Sequence, residues 1–457
     1  MKQVRFNAFL MNCISHLSPG LWRTVGDRSR DYNDLGHWVR LAQTLERGYF
    51  DAIFLADILG VYDTYQDSVE PSLRMAAQIP VNDPLPLIPV MAHATEHIGF
   101  GLTASVSFEH PFPFARRMST LDHLTKGRIA WNIVTSYLES AARNLGQDKI
   151  TDHDQRYDMA DEYLEVVYKL WEASWHEDAV CGAGTNFADA KRVDPILHEG
   201  RFFKVPGIHL SEPSPQRTPV LFQAGSSGRG KRFAARHAEC VFTGCPSKSV
   251  MRTVVSDIRS QVGEEGRDPR SVLIFNMQTI ILRASDEEAQ DEYARLMSFV
   301  DRDAVLAIFS GAMGIDLGQL PYDKPLRYAK TQMAQSVLEA FTSADPSKDW
   351  TIREIVEWCG IGGRGPVFVG SPVTVANMIE EWVEDTDLDG FNLSYATMPG
   401  SYEDIVDLLV PELQKRGRYK TAYDTGSLRE KFFGCGARLS GTDLARRLSR
   451  LHNPRTT

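Results

Sequence analysis

Short apolar runs recur along the chain at 4–11, 52–57, 99–107, 128–136, 219–225, 240–244, 273–282 and 390–395. Most are nearly continuous rather than alternating, the pattern of parallel strands buried on both faces. Between them apolar residues return at helical spacing, at 35–47, 84–96, 113–124, 154–171, 230–237, 250–263, 286–299 and 372–386. Eight strands alternating with helices predict an α/β chain folded as a (β/α)8 TIM barrel. Three connections, about 59–80, 180–218 and 300–366, are too long for simple βα or αβ loops. In a barrel such insertions gather at the carboxyl ends of the strands, where the site is expected, and wall it.

Length alone, 457 residues, suggests about three domains of roughly 150 residues. No repeat, low-complexity tract or linker divides the chain, so one barrel over 1–437 is expected, followed by a tail at 438–457. Arg446, Arg447 and Arg450 interleave there with Leu444, Leu448 and Leu451, which reads as a solvated helix or one packed on a neighbouring subunit. With 43% hydrophobic and 24% charged residues the chain can bury a large core, which excludes general disorder. Its net charge of -10 opposes a nucleic-acid partner. No apolar stretch approaches the ~20 residues needed to span a bilayer. Asn7 and Asn12 interrupt any leader-like segment, so a cytoplasmic location is expected. The six cysteines, at 13, 181, 240, 245, 359 and 435, form no paired metal-binding spacing and read as reduced thiols.

Two formal signatures fail on context. His93, Glu96 and His97 fit H-x-x-E-H, the spacing of a zinc hydrolase. Gly99 follows at once, which puts them at a fraying helix end on the amino-terminal face, away from the expected chemistry. Gly360, Gly362 and Gly365 fit G-x-G-x-x-G, but a dinucleotide site must follow a strand and open a helix, and Pro366 with 367–370 continues extended instead. A better anion site is Gly225-Ser226-Ser227-Gly228-Arg229-Gly230, which follows the fifth strand and precedes a helix. The plain alternative is a serine-capped turn. Asn132 is a polar residue inside a strand that should be dry, and Tyr157 opens the next helix. Asn12, Cys13 and His16 follow the first strand, and Asp57, Tyr62 and Asp63 the second.

Asn7-Ala8-Phe9, Met11-Asn12-Cys13, Ile79-Pro80-Val81-Asn82-Asp83-Pro84-Leu85, the stretch 118–136, Asp161-Glu162-Tyr163-Leu164-Glu165-Val166, Glu212-Pro213-Ser214-Pro215-Gln216-Arg217-Thr218-Pro219 and 411–417 together resemble the flavin-dependent monooxygenases of the bacterial-luciferase-like superfamily. The branch is that of the nitrilotriacetate, dibenzothiophene sulfone, dimethyl sulfide and, nearest in motifs, long-chain alkane monooxygenases. The resemblance implies a two-component enzyme that takes reduced FMN from a separate NAD(P)H:FMN reductase and uses O2 through a flavin C4a-(hydro)peroxide. It implies Asp57 beside the isoalloxazine, Thr103 and Asn132 on its polar edge, Ser136 and Tyr137 along the cofactor wall, and Tyr157, Ser226 and Ser227 on the phosphate. Cys13, His16, Tyr62 and Gln78 match the alkane enzyme's substrate pocket. That enzyme has a histidine where Tyr137 stands and another where this chain reads Leu306-Ala307-Ile308-Phe309. These differences favour a small apolar organosulfur, aromatic or halogenated substrate, with alkane hydroxylation as the alternative and a non-catalytic flavin-binding barrel as the non-enzymatic one. No catalytic metal is expected, His16 is expected to titrate near neutral pH and handle the proton, and a homodimer or homotetramer is expected.

Overall fold

The computed structural model describes residues 2–182, 186–225, 227–326 and 349–439. Its strands are β1 (Arg5–Met11), β2 (Ala52–Ala56), β3 (Gly99–Ser105), β4 (Ile129–Val134), a two-residue hairpin of β5 (His198–Glu199) and β6 (Lys204–Val205), then β7 (Val220–Gln223), β8 (Cys240–Thr243), β9 (Leu273–Leu282), β10 (Val367–Gly370) and β11 (Gly390–Ser394). Pairing runs β9-β11-β1-β2-β3-β4-β7-β8, and β8 pairs with β9 to close an eight-stranded parallel barrel. This is the expected TIM barrel. β10, not counted among the expected strands, adds a ninth parallel strand on the carboxyl half of β9, from Val367 opposite Thr279 to Gly370 opposite Leu282.

The helices needed below are α1 (Leu35–Arg47), α2 (Glu70–Arg74), α3 (Leu87–His93), α4 (Pro111–Leu124), α5 (Glu139–Asn144), α6 (His153–Tyr168), α7 (Gly228–His237), α8 (Lys248–Glu264), α9 (Asp286–Met297), α10 (Arg302–Met313), α11 (Ile352–Cys359), α12 (Pro372–Thr386), α13 (Gly400–Asp404), α14 (Val410–Lys415) and α15 (Leu428–Phe433). Their starts follow capping chemistry. Asp34 accepts from Gly36 N ahead of α1, Ser247 from Val250 N ahead of α8, and Thr351 forms a reciprocal capping box with Glu354.

Alternation along each strand divides the core in two. Phe6, Ala8 and Leu10 of β1 pack outward on helices, with Trp38, Leu41 and Leu45 in the same cluster. Phe9 points inward against a second cluster that holds Phe54, Phe222, Phe242, Phe275 and Phe432. Ring centroids of Phe54 and Phe242 lie 4.7 Å apart, and those of Phe222 and Phe242 4.9 Å. α15 contributes Leu428 and Phe432 to this filling, at the amino-terminal end.

The insertions expected at 59–80 and 300–366 share one hydrophobic core rather than standing as separate loops. Tyr62, Tyr65, Met75 and Ala77 pack with Leu138 and Ala141, with Ala304 to Phe309 of α10, and with Trp350, Ile355 and Val356 near α11. Arg74 ties α2 to Asp301 at 3.2 Å and to Asp303 at 3.3 Å at the start of α10. A cap therefore covers the carboxyl end of the barrel. Of the expected tail, 440–457 lie outside the described residues.

Candidate active site

The barrel interior becomes polar toward its mouth. Thr103 and Asn132 stand opposite each other in the β3–β4 register, and Asn132 Nδ2 donates to Thr103 Oγ1 at 3.0 Å. Asn132 is 4% exposed and its Oδ1 has no partner. Deeper in the barrel, Asn7 and Asn392 are also opposite each other and also hold unpartnered amide atoms. A buried acceptor without a donor costs about 1–3 kcal/mol, so Asn132 Oδ1 suits the N–H group of a bound ring system.

Beside it the chain after β1 folds onto the end of the 59–80 insertion. Cys13 bridges Val81, Ser15 bridges Ala77, and Gln78 N donates to Ser15 O at 2.8 Å. Gln78 takes a left-handed backbone, φ 55°, which turns its amide inward. Its Nε2 donates to His16 O at 2.8 Å and its Oε1 accepts from Tyr62 OH at 3.1 Å. Cys13, His16, Tyr62 and Gln78 are all buried, and Gln78 links His16 to Tyr62. His16 packs edge-on against Phe9, ring centroids 4.6 Å apart, and its Nδ1 is buried without a partner.

The charge states differ in part from expectation. Burial pushes His16 down to about 3, against a weaker opposing effect of the Phe9 carbonyl, so its imidazole is neutral at physiological pH and does not titrate near 7. Burial also raises the Cys13 thiol far above its usual range, with Asp57 adding to the effect, which disfavours the thiolate. Asp57 follows the end of β2. Burial, then the Asp83 carboxylate, lift its carboxyl to about 7. Asp57 is the site group that changes charge in the neutral range.

Ser136 leaves β4 in a left-handed conformation, φ 59°, and bonds Ser105 Oγ at 2.8 Å, which swings Tyr137 over the mouth. Tyr137 is 46% exposed, yet its hydroxyl lies 2.8 Å from that of Tyr62. It thus touches Tyr62 directly, a contact not expected of it.

The expected anion site lies where β7 meets α7. Ser227 caps α7, its Oγ accepting from Gly230 N at 3.0 Å. A Cβ on Gly230 would come within 2.7 Å of Tyr157 OH and 3.0 Å of Ser227 Oγ, so the glycine keeps both hydroxyls at one point by the helix N-terminus. Tyr157 is buried and Ser227 is half-buried. Ser226 lies outside the described residues. Two further residues were not expected. His153 Nε2 lies 3.2 Å from Ser227 Oγ, and Arg229 sits 5.7 Å from the Tyr157 ring centroid while paired with Asp161 at 2.6 Å. The signal for His153 was its place one helical turn before Tyr157 on α6.

The two failed motifs serve the scaffold. Glu46 accepts backbone N–H groups of Glu96, His97 and Ile98, His97 stacks on Tyr423, and Arg128 caps the end of α3 by donating to Ala92 O, Thr95 O and Ile98 O. Among the described residues no three His, Cys, Asp or Glu side chains converge to hold a metal. Gly362, at φ +74°, and Gly365 press against Thr279, Ser394 and the Met277 carbonyl, and the chain runs on into β10 without opening a helix. These glycines permit close packing over β9. No described helix is long and apolar enough to cross a membrane.

A family model described as luciferase-like monooxygenase matches residues 9–387. A dimethyl-sulfide monooxygenase of Hyphomicrobium sulfonivorans is 50% identical over 435 residues, covering 95% of this chain and 91% of that protein. A long-chain alkane monooxygenase of Geobacillus thermodenitrificans is 45% identical over 439 residues, covering 95% of each. The crystal structure of a riboflavin lyase with modified FMN and its substrate riboflavin superposes with a TM-score of 0.89 at 33% identity, over 98% of this chain and 99% of that one.

Proposed function

The chain belongs to the luciferase-like monooxygenase family, and from that premise we propose that it is the oxygenase component of a two-component system using reduced FMN from a separate NAD(P)H:FMN reductase. The observation that carries this reading is the pairing of an unpartnered Asn132 Oδ1 at the barrel mouth with a hydroxyl cradle at the start of α7. One suits the polar edge of a flavin and the other its phosphate. When bound, reduced FMN supplies the electrons that activate O2, one atom of which enters the substrate.

This chain's residues bind and orient. Tyr157, Ser227 and the α7 N-terminus hold the phosphate, Thr103 and Asn132 meet the ring edge, and Asp57 stands beside it as a carboxyl that can hold or release a proton near neutral pH. From its position in the sequence alone, Ser226 is a further candidate for the phosphate. The cap keeps water from the mouth, which protects a reactive oxygen species from wasteful loss. Cys13, His16, Tyr62 and Gln78 wall the substrate pocket. His16, being neutral, orients a substrate or its proton through a hydrogen bond and does not act as an acid.

The pocket borders apolar α10, with Leu306, Ala307, Ile308 and Phe309 all buried. A small apolar substrate fits this lining better than a multiply charged one, and the relatives named for dimethyl sulfide and for long-chain alkanes support the same class. Assembly as a homodimer or homotetramer is part of the proposal.

The test supplies purified protein with NADH, FMN, a flavin reductase and isotopically labelled O2, and follows small thioethers and alkanes by mass spectrometry. Labelled product is expected with the reductase present and none with NADH and this protein alone. Robust NADH oxidation by this polypeptide alone, or O2 uptake that yields only H2O2 whatever substrate is offered, contradicts the reading.

A further inference from the structure

Tyr62 is fixed on every side. Its carbonyl accepts from Ser72 Oγ at 2.9 Å, its hydroxyl donates to Gln78 Oε1 at 3.1 Å, and its ring fills a notch at Gly311 of α10, where any Cβ would collide with Tyr62 Cδ1. The hydrogen bonds have one consistent direction. Gln78 Nε2 is committed to His16 O, so Gln78 Oε1 faces Tyr62 as an acceptor and takes the single Tyr62 hydroxyl proton. The Tyr62 oxygen must then accept from Tyr137 at 2.8 Å.

Tyr137 is held differently. It follows β4, Tyr62 follows β2, and their hydroxyls meet above the end of β3, which lies between those two strands in the barrel. With 46% of its surface exposed, Tyr137 is the outer half of a crossbar whose inner half is rigid. The two hydroxyls are shielded from solvent while part of the Tyr137 residue is exposed, so the bond opens when that ring swings outward.

We propose that the Tyr62–Tyr137 crossbar is the specificity determinant that limits substrate length, closing over short apolar molecules and excluding those that extend past the end of β3. This rests on the reading of the chain as an oxygenase for small apolar compounds. Tyr137 is the movable part, and Gly311 sets how far Tyr62 stands back from the pocket.

The test uses the full chain loaded with FMN and a graded series of dialkyl thioethers, from dimethyl to dihexyl, with dissociation constants measured by calorimetry. In the parent protein affinity should rise by about four-fold per added methylene and then fall by about ten-fold or more at one chain length. Tyr137→Ala should move that break to longer chains, each affinity being taken relative to dimethyl sulfide in the same variant. Tyr137→Phe, which keeps the ring and loses the bond, should lie between. Gly311→Ala puts a Cβ against the Tyr62 ring and can be accommodated only by pushing that ring toward the pocket, at a cost in stability read by denaturant unfolding, and it should move the break to shorter chains. The same break in the parent and Tyr137→Ala, a series without a break, or no binding of any member overturns the crossbar. Incorporation of labelled oxygen by the parent tests the oxygenase reading separately, since a length break in binding stands or falls without turnover.

Discussion

At the amino-terminal end of the barrel Arg429 is 1% exposed and fully engaged: Nε and Nη2 meet the two Glu239 oxygens at 2.6 and 2.9 Å, and Nη2 also reaches Thr218 O and Pro219 O. At the carboxyl end Asn132 Oδ1, Asn12 Oδ1 and His16 Nδ1 are as deeply buried and meet nothing, and burial lifts the Asp57 carboxyl to about 7. Both ends place polar groups in a dry interior, where each costs free energy unless matched. The Arg429–Glu239 pair is matched within the chain, while Asn7 and Asn392 deeper in the barrel keep unpartnered amide atoms. The groups at the mouth are left for a ligand, and their gathering there points to function without reference to any motif.

Breaking the matched end should have the largest effect. Arg429→Ala removes the cation from buried Glu239 and leaves it only the Leu221 N–H, and should cost about 3–5 kcal/mol in denaturant unfolding. Flavin affinity of the protein that remains folded should be unchanged. A loss below about 1 kcal/mol would place Arg429 with surface pairs and remove the contrast.

The next effect depends on pH. Because folding raises the Asp57 carboxyl above its ordinary value, its contribution favours the native state in acid and is lost as pH rises through about 7. Asp57→Asn should therefore match the parent's stability near pH 4 and exceed it increasingly toward pH 8, as read by denaturant midpoints at several pH values. His16 behaves oppositely. Its folded value is lowered to about 3, so its contribution is present above 6.5 and lost only as pH falls toward 3. A midpoint near neutral pH in the product formed per O2 should vanish in Asp57→Asn and persist in His16→Gln. Persistence in the former would remove Asp57 from the site.

Much of this was legible in the sequence, and the misses have physical causes. Strands buried on both faces read as unbroken apolar runs, so all eight barrel strands were found. Their carboxyl ends were drawn one or two residues too long at Asp57, Ser107, Ser136 and Gly225, because there the chain leaves the sheet to build the site. α3 was expected from Pro84 but begins at Leu87, since Asp83 Oδ1 accepts from Leu85 N and holds a turn ahead of it. α6 was expected to reach Trp171, where the chain continues as a wider π-helical turn, Lys169–Ala173. The shared core of the cap was not legible: Tyr62 and Phe309 meet across a sequence separation that leaves no local periodicity. Nor was the neutrality of His16, because residue type gives an ordinary titration and only burial shifts it. Cys13, Tyr62 and Gln78 were placed together by resemblance, and the hydrogen bonds that join Tyr62 and Gln78 are visible only in three dimensions.

The smallest expected effect is at the pocket wall. Cys13→Ser should retain most product formation per O2, because burial holds the thiol protonated. Loss of product with FMN still bound would show that the sulfur does more than shape the wall.

The central claim is that the unmatched end is a flavin site, and anaerobic titration with reduced FMN of the parent, Asn132→Leu and Ser227→Ala tests it most directly. Asn132→Leu removes a buried unpaired acceptor together with the bond to Thr103, two effects that offset, so the stability of the protein without flavin should change by no more than about 1 kcal/mol. Its affinity for reduced FMN should nevertheless fall by about ten-fold or more, as should that of Ser227→Ala. If Asn132→Leu destabilises the free protein while both variants bind reduced FMN as the parent does, the unmatched groups belong to the scaffold and the account is wrong.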